Sequence, residues 1–309
     1  MMDHQWKEWT RKRKWLMAIG LSILLVVGGS SSYLLFLYQK VHQTVVNDLF
    51  EPVTAIDSET SKRKTEASEA LNFLLLGIDE REEDIGRPDT LIVMHVDPDG
   101  EKVRLISIPR DTMAWIPGHG KYDKINHSYT FGGLDMTIKT VEDLLDIKLD
   151  YYATVNMKGL SGIVDAVGGV PVTNEFPFVQ GGFNYPEGPQ MLSGEQALAY
   201  VRMRDQDPKG DIGRNHRQRE VVEGIMQQGM SLQAVANLDG IFEVLSDHMH
   251  TNMTLDEIRT MAINYRSALK NIDMYQIKGT DSYINDIYYL QVSPDEIAKV
   301  NQMISSEAL

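Results

Sequence analysis

"NFLLLGIDEREEDIGRPDTLIVMHVDPDGEKVRLISIPRDT", residues 72–112, sets three apolar runs between charged punctuation. The run 73–76 is continuously apolar, as a strand buried on both faces must be. "TLIVMHVD" at 90–97 and "KVRLISIPRD" at 102–111 read as two more strands, and the turn signal "DPDG" between them makes a hairpin. Outward from this core the period changes. In "GLDMTIKTVEDLLDI", residues 133–147, Leu134, Ile138, Val141, Leu144 and Leu145 recur at helical spacing, and "YYATVNM" after it returns to a strand pattern. "MKGLSGIVDAVGGV" reads as a short helix stopped by Gly168 and Gly169, after which "VPVT" extends again. Ser193 and Gln196 form a capping-box pattern heading "SGEQALAYVR", and a long helix is predicted from Gly213 to Gly229. "TLDE" at Thr254 and "SPDE" at Ser293 start two more helices. Strands mixed with helices predict an α/β fold, a mixed central sheet packed between helices as an α/β/α sandwich.

The chain has 309 residues, enough for a large core, and no cysteine, which removes thiol nucleophiles, thiolate metal sites and disulfides. Its net charge of −14 repels phosphate backbones, so no nucleic-acid partner is expected and any polyanion must meet a local basic cluster.

Residues 15–38, "WLMAIGLSILLVVGGSSSYLLFLY", carry no charge over a length sufficient to cross a bilayer as a helix. Trp15, Tyr33 and Tyr38 stand at the ends, and "RKRK" at 11–14 supplies the positive-inside signal. The expected topology is a single-pass, type II anchor in the cell membrane: residues 1–14 cytoplasmic, 15–38 transmembrane, 39–70 an extracytoplasmic linker, 71–309 an extracytoplasmic catalytic domain. A cleaved signal peptide with "GGSSS" as its small-residue site is the competing reading, but apolar sequence resumes after the serines. The first fourteen residues hold five basic and two acidic side chains, a surplus of three that leaves −17 for the remainder.

Charged groups gather at the strand ends. Asp79 follows the first strand, and Arg87 and Asp89 precede the second, so both carboxylates can converge on one sheet edge. Two carboxylates with room for water suit Mg2+, although an ordinary acidic turn would look the same in isolation. Arg110 and Asp111 end the third strand, where a surface ion pair is the competing reading. His127 in "KINHSY" is assigned no role.

"YVRMRDQDPKGDIGRNHRQRE", residues 200–220, concentrates five arginines in an acidic chain. Arg214, Arg217 and Gln218 would share a helix face, while Arg219 is expected to meet solvent. Ion pairs with Asp205, Asp207, Asp211 and Glu220 are the bland account, but such surface pairs contribute only about 0–1 kcal/mol. Guanidinium forks suit phosphate oxygens better. No Walker loop, "GxGxxG", "GxSxG" or "HExxH" is present, so metal-assisted phosphoryl chemistry remains.

In order, "NFLLLGIDER", "GRPDTLIV", "ISIPRDT", "KINHSY", "DAVGGVPV", "LSGEQALAYVRMR" and "DIGRNHRQRE" resemble the LytR-CpsA-Psr family of bacterial cell-wall ligases, in particular its teichoic acid transferase members. The resemblance covers about residues 72–228. It implies a Gram-positive enzyme that moves an anionic glycopolymer, such as wall teichoic acid, from a polyprenyl (undecaprenyl) pyrophosphate carrier to the C6 hydroxyl of N-acetylmuramic acid in peptidoglycan, forming a phosphodiester. It implies Mg2+, or Mn2+, at Asp79 and Asp89, and pyrophosphate binding by Arg87, Arg110, Arg202, Arg204, Arg217 and Gln218. Arg110 and Asp111 are the catalytic candidates, Asp111 as acceptor of the hydroxyl proton. A lipid-pyrophosphate hydrolase, or a binding or regulatory protein at the membrane, is the alternative.

Overall fold

A computed structural model of the protein describes residues 49–78, 86–229 and 248–305, together with Tyr33. The expected transmembrane segment lies outside the described residues apart from Tyr33, and none of the described helices is long and apolar enough to cross a membrane. The strands and helices from Ser58 onward belong to the unit that begins at Val45.

The three apolar runs of residues 72–112 are adjacent strands: β1 (Leu71–Ile78), β2 (Pro88–Asp97) and β3 (Lys102–Ser107). Both neighbouring pairs are antiparallel. β4 (Met113–Ile116) and β5 (Lys121–Lys124) form a separate hairpin, and α2 (His127–Leu145) follows, broken at Gly132 and Gly133. β6 (Tyr151–Asn156) returns parallel to β1. Beyond it come α3 (Met157–Ala166), β7 (Val170–Asn174), the small hairpin β8 (Phe178–Gln180) and β9 (Phe183–Tyr185), and β10 (Gly188–Leu192), which pairs with β7. α4 (Gly194–Arg202) has the expected capping box, with Gln196 Oε1 accepting from the Ser193 N–H at 3.0 Å. The long α5 runs Asp211–Gly229.

The last third carries more than the two helices its start signals announce. β11 (Met249–Thr251) pairs with β6, and α6 (Leu255–Asn264) starts at the Thr254 and Glu257 capping box. After a 3-10 turn at Arg266–Lys270, β12 (Asn271–Gln276) lies parallel to β3 and completes a six-stranded mixed sheet of order β11-β6-β1-β2-β3-β12. The hairpin β13 (Thr280–Ile284) and β14 (Ile287–Gln291) and the helix α7 (Pro294–Ser305) end the described chain.

Alternation along β1 sorts its side chains to two cores. Leu74, Leu76 and Ile78 join Leu91, Val93 and Ile106 under α2 and α7, where Ile138, Val141, Val300 and Ile304 meet them. Leu71 and Phe73 join Ile92, Val103 and Leu105 on the other face, covered by Val222 and Met226 of α5 and Ile258 and Met261 of α6. The expected α/β/α layering is therefore present, with both sheet faces covered. A smaller core of Val164, Val170, Phe178, Tyr185, Tyr200 and Val221 knits α3, α4 and the β7–β10 strands to one side of α5.

The linker expectation for residues 39–70 requires correction over its described part. Leu49 is buried, Phe50 bridges to Thr251, and the Thr54 and Ala55 N–H groups both donate to Asp135 Oδ1 at 2.7 Å. Helix α1 (Ser58–Ala67), capped by Asp57, buries Ser61 and Thr65, sets the Thr65 hydroxyl 2.8 Å from that of Tyr151, and places Lys64 Nζ 2.8 Å from Asp150. Its inward face is polar and satisfied by hydrogen bonds, so hydrophobic periodicity did not reveal it. The folded domain begins by Leu49, not at Leu71.

Candidate active site

β2 and β3 run antiparallel with Ile92 opposite Ser107, so the start of one and the end of the other share a sheet edge. Asp89 and Arg110 meet there, with Arg110 Nη1 2.5 Å from Asp89 Oδ1. Arg110 Nε lies 3.6 Å from Asp111 Oδ2, too long for a hydrogen bond, and Asp111 Oδ1 takes Lys124 Nζ at 2.6 Å. β4 and β5 supply that lysine, since Met113 and Lys124 are partners in their ladder.

The beginning of α5 closes on the same edge. Arg214 and Asp211 share its first turn and touch at 2.6 Å, out of line for a hydrogen bond. Burial pulls the Arg214 guanidinium below the usual arginine range, and the like charges of Arg110 and Arg204 pull it further against Asp211 and Asp89. Burial also acts on Arg110, but the hydrogen bond and charge of Asp89, with Asp111 and Asp211, leave it raised. Arg110 Nε and Arg214 Nε and Nη2 are buried donors that make no hydrogen bond. Buried guanidinium N–H groups that make no hydrogen bond are costly even where the charge has a carboxylate neighbor, and a multivalent anion is the ligand that would satisfy them together.

Other expected residues fall around this center in different ways. Arg87 is exposed just ahead of β2; Arg202 ends α4 and Arg204 follows it, both exposed. Gln218 lies one helical turn beyond Arg214 and is buried. Asp79 lies outside the described residues, though Ile78 before it pairs with Pro88, next to Asp89. Among the described residues no three carboxylate or imidazole groups stand close enough to hold a metal. Of the two carboxylates expected at the metal, Asp89 is the described one, a hard oxygen donor of the kind Mg2+ shares with phosphate and water.

Two arginines are corrected. Arg217, expected to clamp pyrophosphate, turns inward: Nη1 reaches Asp207 at 2.5 Å, Nε donates to the Tyr200 carbonyl at 3.1 Å, and Nη2 donates to the Met203 carbonyl. Its guanidinium lies 5.6 Å from the ring center of Phe178. With its fork consumed by the end of α4, it fastens α4 to α5 rather than facing a ligand. Arg219, expected in solvent, is 5 % exposed and donates to Ser107 Oγ at 2.7 Å; burial pushes it down to about 10. Sequence spacing could not separate Arg214 from Arg217, because three positions along a helix leave both near one face. Asp207 decides it by binding Arg217 from the preceding turn. Arg214, Asp211 and Lys124 are the site groups that sequence reasoning left without a role.

A cavity of about 410 Å³ opens beside Asp111 and Asp211, bounded by Pro109, Gln276 and Tyr288 among others. A second, of about 460 Å³, lies between β7, β10 and α5. It is lined by Glu220 and Glu223 and by no arginine, so it is not the anion site.

Similarity to known proteins spans most of the chain. The model of the LytR_cpsA_psr family matches residues 35–305. The polyisoprenyl-teichoic acid–peptidoglycan teichoic acid transferase TagU of Halalkalibacterium halodurans is 41% identical over 300 residues, covering 95% of this chain and 98% of the relative. The crystal structure of B. subtilis TagU is 36% identical, with a TM-score of 0.63 over 78% of this chain and 99% of that one. The structure of TagT bound to LIIa-WTA is 29% identical, with a TM-score of 0.66 over 76% of this chain and 89% of that one.

Proposed function

The chain belongs to the LytR_cpsA_psr family, and from that premise we propose that it transfers an anionic glycopolymer, of the wall teichoic acid class, from a polyprenyl pyrophosphate carrier to peptidoglycan. The observation that carries the reading is the set of unpartnered guanidinium donors of Arg110 and Arg214 beside the carboxylates Asp89 and Asp111. A pyrophosphate offers that set the oxygens it lacks.

In the proposed reaction the C6 hydroxyl oxygen of an N-acetylmuramic acid residue attacks the phosphorus that bears the glycopolymer. A new P–O bond forms, the P–O bond to the lipid phosphate breaks, and polyprenyl phosphate leaves with the bond's electron pair. The hydroxyl proton goes to Asp111, which the Lys124 ammonium and Arg110 hold at the site edge. Arg110 and Arg214 offset the charge spread over the transferring phosphoryl group, and exposed Arg87, Arg202 and Arg204 add to the field that draws the donor in. Asp89 with Asp79 would hold Mg2+, which when bound would supply positive charge against the negative charge of the leaving phosphate. Residues 15–38 would anchor the domain at the outer face of the cell membrane, where a polyprenyl carrier is found.

The test is incubation of the full-length chain in detergent with Mg2+, a polyprenyl-pyrophosphate glycopolymer and uncrosslinked peptidoglycan. A phosphodiester-linked product supports the reading; release of the glycopolymer only to water would make the protein a hydrolase and sink it.

A further inference from the structure

The cavity beside Asp111 differs in chemistry from the arginine cluster it adjoins. The orphaned polar atoms of the arginine cluster are donors, whereas those on the cavity wall are acceptors: Gln276 Oε1 is buried without a partner, and Asp211 Oδ1 touches Arg214 but accepts no hydrogen bond. A phosphate, being an acceptor itself, satisfies neither. Asp111, Asp211 and Asp281 all border the cavity, and their charge disfavors an anion there. Lys278 also lines it, while Lys124 is committed to Asp111. The carboxylates do not converge as metal ligands do, since among the described residues no three such groups could hold an ion. They are spread around a wall that also presents Ile212, Leu290 and the Tyr288 ring.

Spread acceptors with apolar surface between them match a neutral polyol: hydroxyl and amide donors at its rim, C–H groups on its faces. The volume, about 410 Å³, lies within the usual range for small-ligand pockets. One wall is fixed to the catalytic edge, because the Leu290 N–H donates to the Asp111 carbonyl at 2.9 Å. A second is stiffened by the Tyr288 hydroxyl donating to Asp281 Oδ1 at 2.9 Å. A hydroxyl bound here would lie next to Asp111 and beside the arginines that face the donor.

We infer that this cavity is the acceptor-glycan subsite, in which the β13–β14 hairpin and Gln276 seat an amino-sugar residue of the glycan strand with its reacting hydroxyl toward Asp111. This rests on the transferase reading and adds where the second substrate binds. Charge thus divides the edge: donor phosphates to the arginines, acceptor sugar to the carboxylates and amide.

The experiment uses the full-length chain in detergent and two probes measured separately, an uncrosslinked peptidoglycan oligomer and a polyprenyl pyrophosphate. Gln276→Met keeps the side chain's bulk and removes the acceptor; Tyr288→Ala, on the hairpin, removes the apolar wall. Each is expected to weaken oligomer binding by about five- to tenfold, the worth of one buried hydrogen bond or apolar contact, with polyprenyl pyrophosphate bound as before. Gln276→Glu, which restores an acceptor, is expected to recover oligomer binding. Unchanged oligomer binding in both Gln276→Met and Tyr288→Ala, or parallel loss of both probes, overturns the inference. Failure of the transferase reading looks different: a wild-type chain that binds both probes yet links none of the polymer to the glycan.

Discussion

Arg217 Nη1 stands 2.5 Å from Asp207 Oδ2 with both side chains almost fully buried, 4% and 1% exposed. The turn before α5 is built around this contact. Asp207 Oδ1 accepts from the Lys209 N–H at 2.7 Å, and a Cβ on Gly213 would meet the carboxylate, so only glycine lets Asp207 sit against the helix start. The pair fixes where Arg214 emerges, although Arg217 does not face the ligand itself.

Arg217→Ala is therefore expected to act on stability. It leaves Asp207 buried and unpaired and three hydrogen bonds of the α4–α5 junction unmade, a loss of roughly 3–5 kcal/mol. Urea unfolding of the full-length chain measures it. A variant as stable as wild type, with donor binding alone impaired, would return Arg217 to the ligand site.

Arg110→Lys and Arg214→Lys keep the charge and remove the fork. Hydrogen bonds to charged groups contribute about 1.5–3 kcal/mol, so each is expected to weaken polyprenyl pyrophosphate binding by roughly 10- to 100-fold. Thermal unfolding should change less than binding, because the Nε groups make no hydrogen bond within the protein and a lysine ammonium still offers a charge to Asp89 or Asp211. Asp89→Ala frees Arg110 and removes the described carboxylate assigned to Mg2+; loss of turnover with retained lipid binding is expected. Full turnover by Asp89→Ala would exclude it as a metal ligand.

Arg219 is a buried cation whose described contact is the neutral Ser107 hydroxyl, and its Nε has no partner. Burial outweighs the favorable charge of Glu220, with which Arg219 forms no described ion pair, and an apolar side chain of similar length avoids the desolvation cost. Arg219→Met is expected to leave stability unchanged or raise it by about 1–3 kcal/mol, read from the urea midpoint at neutral pH. A clear loss would mean that the Ser107 hydrogen bond outweighs desolvation.

Residues 72–112 disclosed the sheet because Phe73–Leu76 and the two runs after it are short apolar runs set between charged and turn-forming residues such as "DPDG", which leave no length for a helix. They also disclosed Asp89 and Arg110, since the ends of neighboring strands must meet. Helix α1 stayed hidden because its buried face is Ser61 and Thr65, held by hydrogen bonds. The β13–β14 hairpin had a readable turn: Asn285 and Asp286 both take positive φ, as residue types favored in such turns can. Arg214 and Arg217 were inseparable in sequence, because their fates depend on which carboxylate the preceding turn delivers.

His95 on β2 gives the pH dependence its clearest handle. It is 4% exposed, with Nδ1 2.8 Å from Asn72 Oδ1, and burial, aided by the nearby Arg104 charge, pushes its pKa down to about 4. In the unfolded chain the imidazole returns to about 6.5. Between those values the unfolded state binds the proton and the folded state does not, so stability rises with pH across the window and is lost as pH falls from 6.5 toward 4. The loss is expected to reach roughly 2–3 kcal/mol. His95→Gln keeps an amide donor for Asn72 and removes the titration. Urea midpoints of wild type and variant at pH 7 and pH 4.5 should converge or cross as pH falls, the variant losing less. Parallel pH profiles would show that His95 takes up its proton as readily in the folded protein as in the unfolded chain.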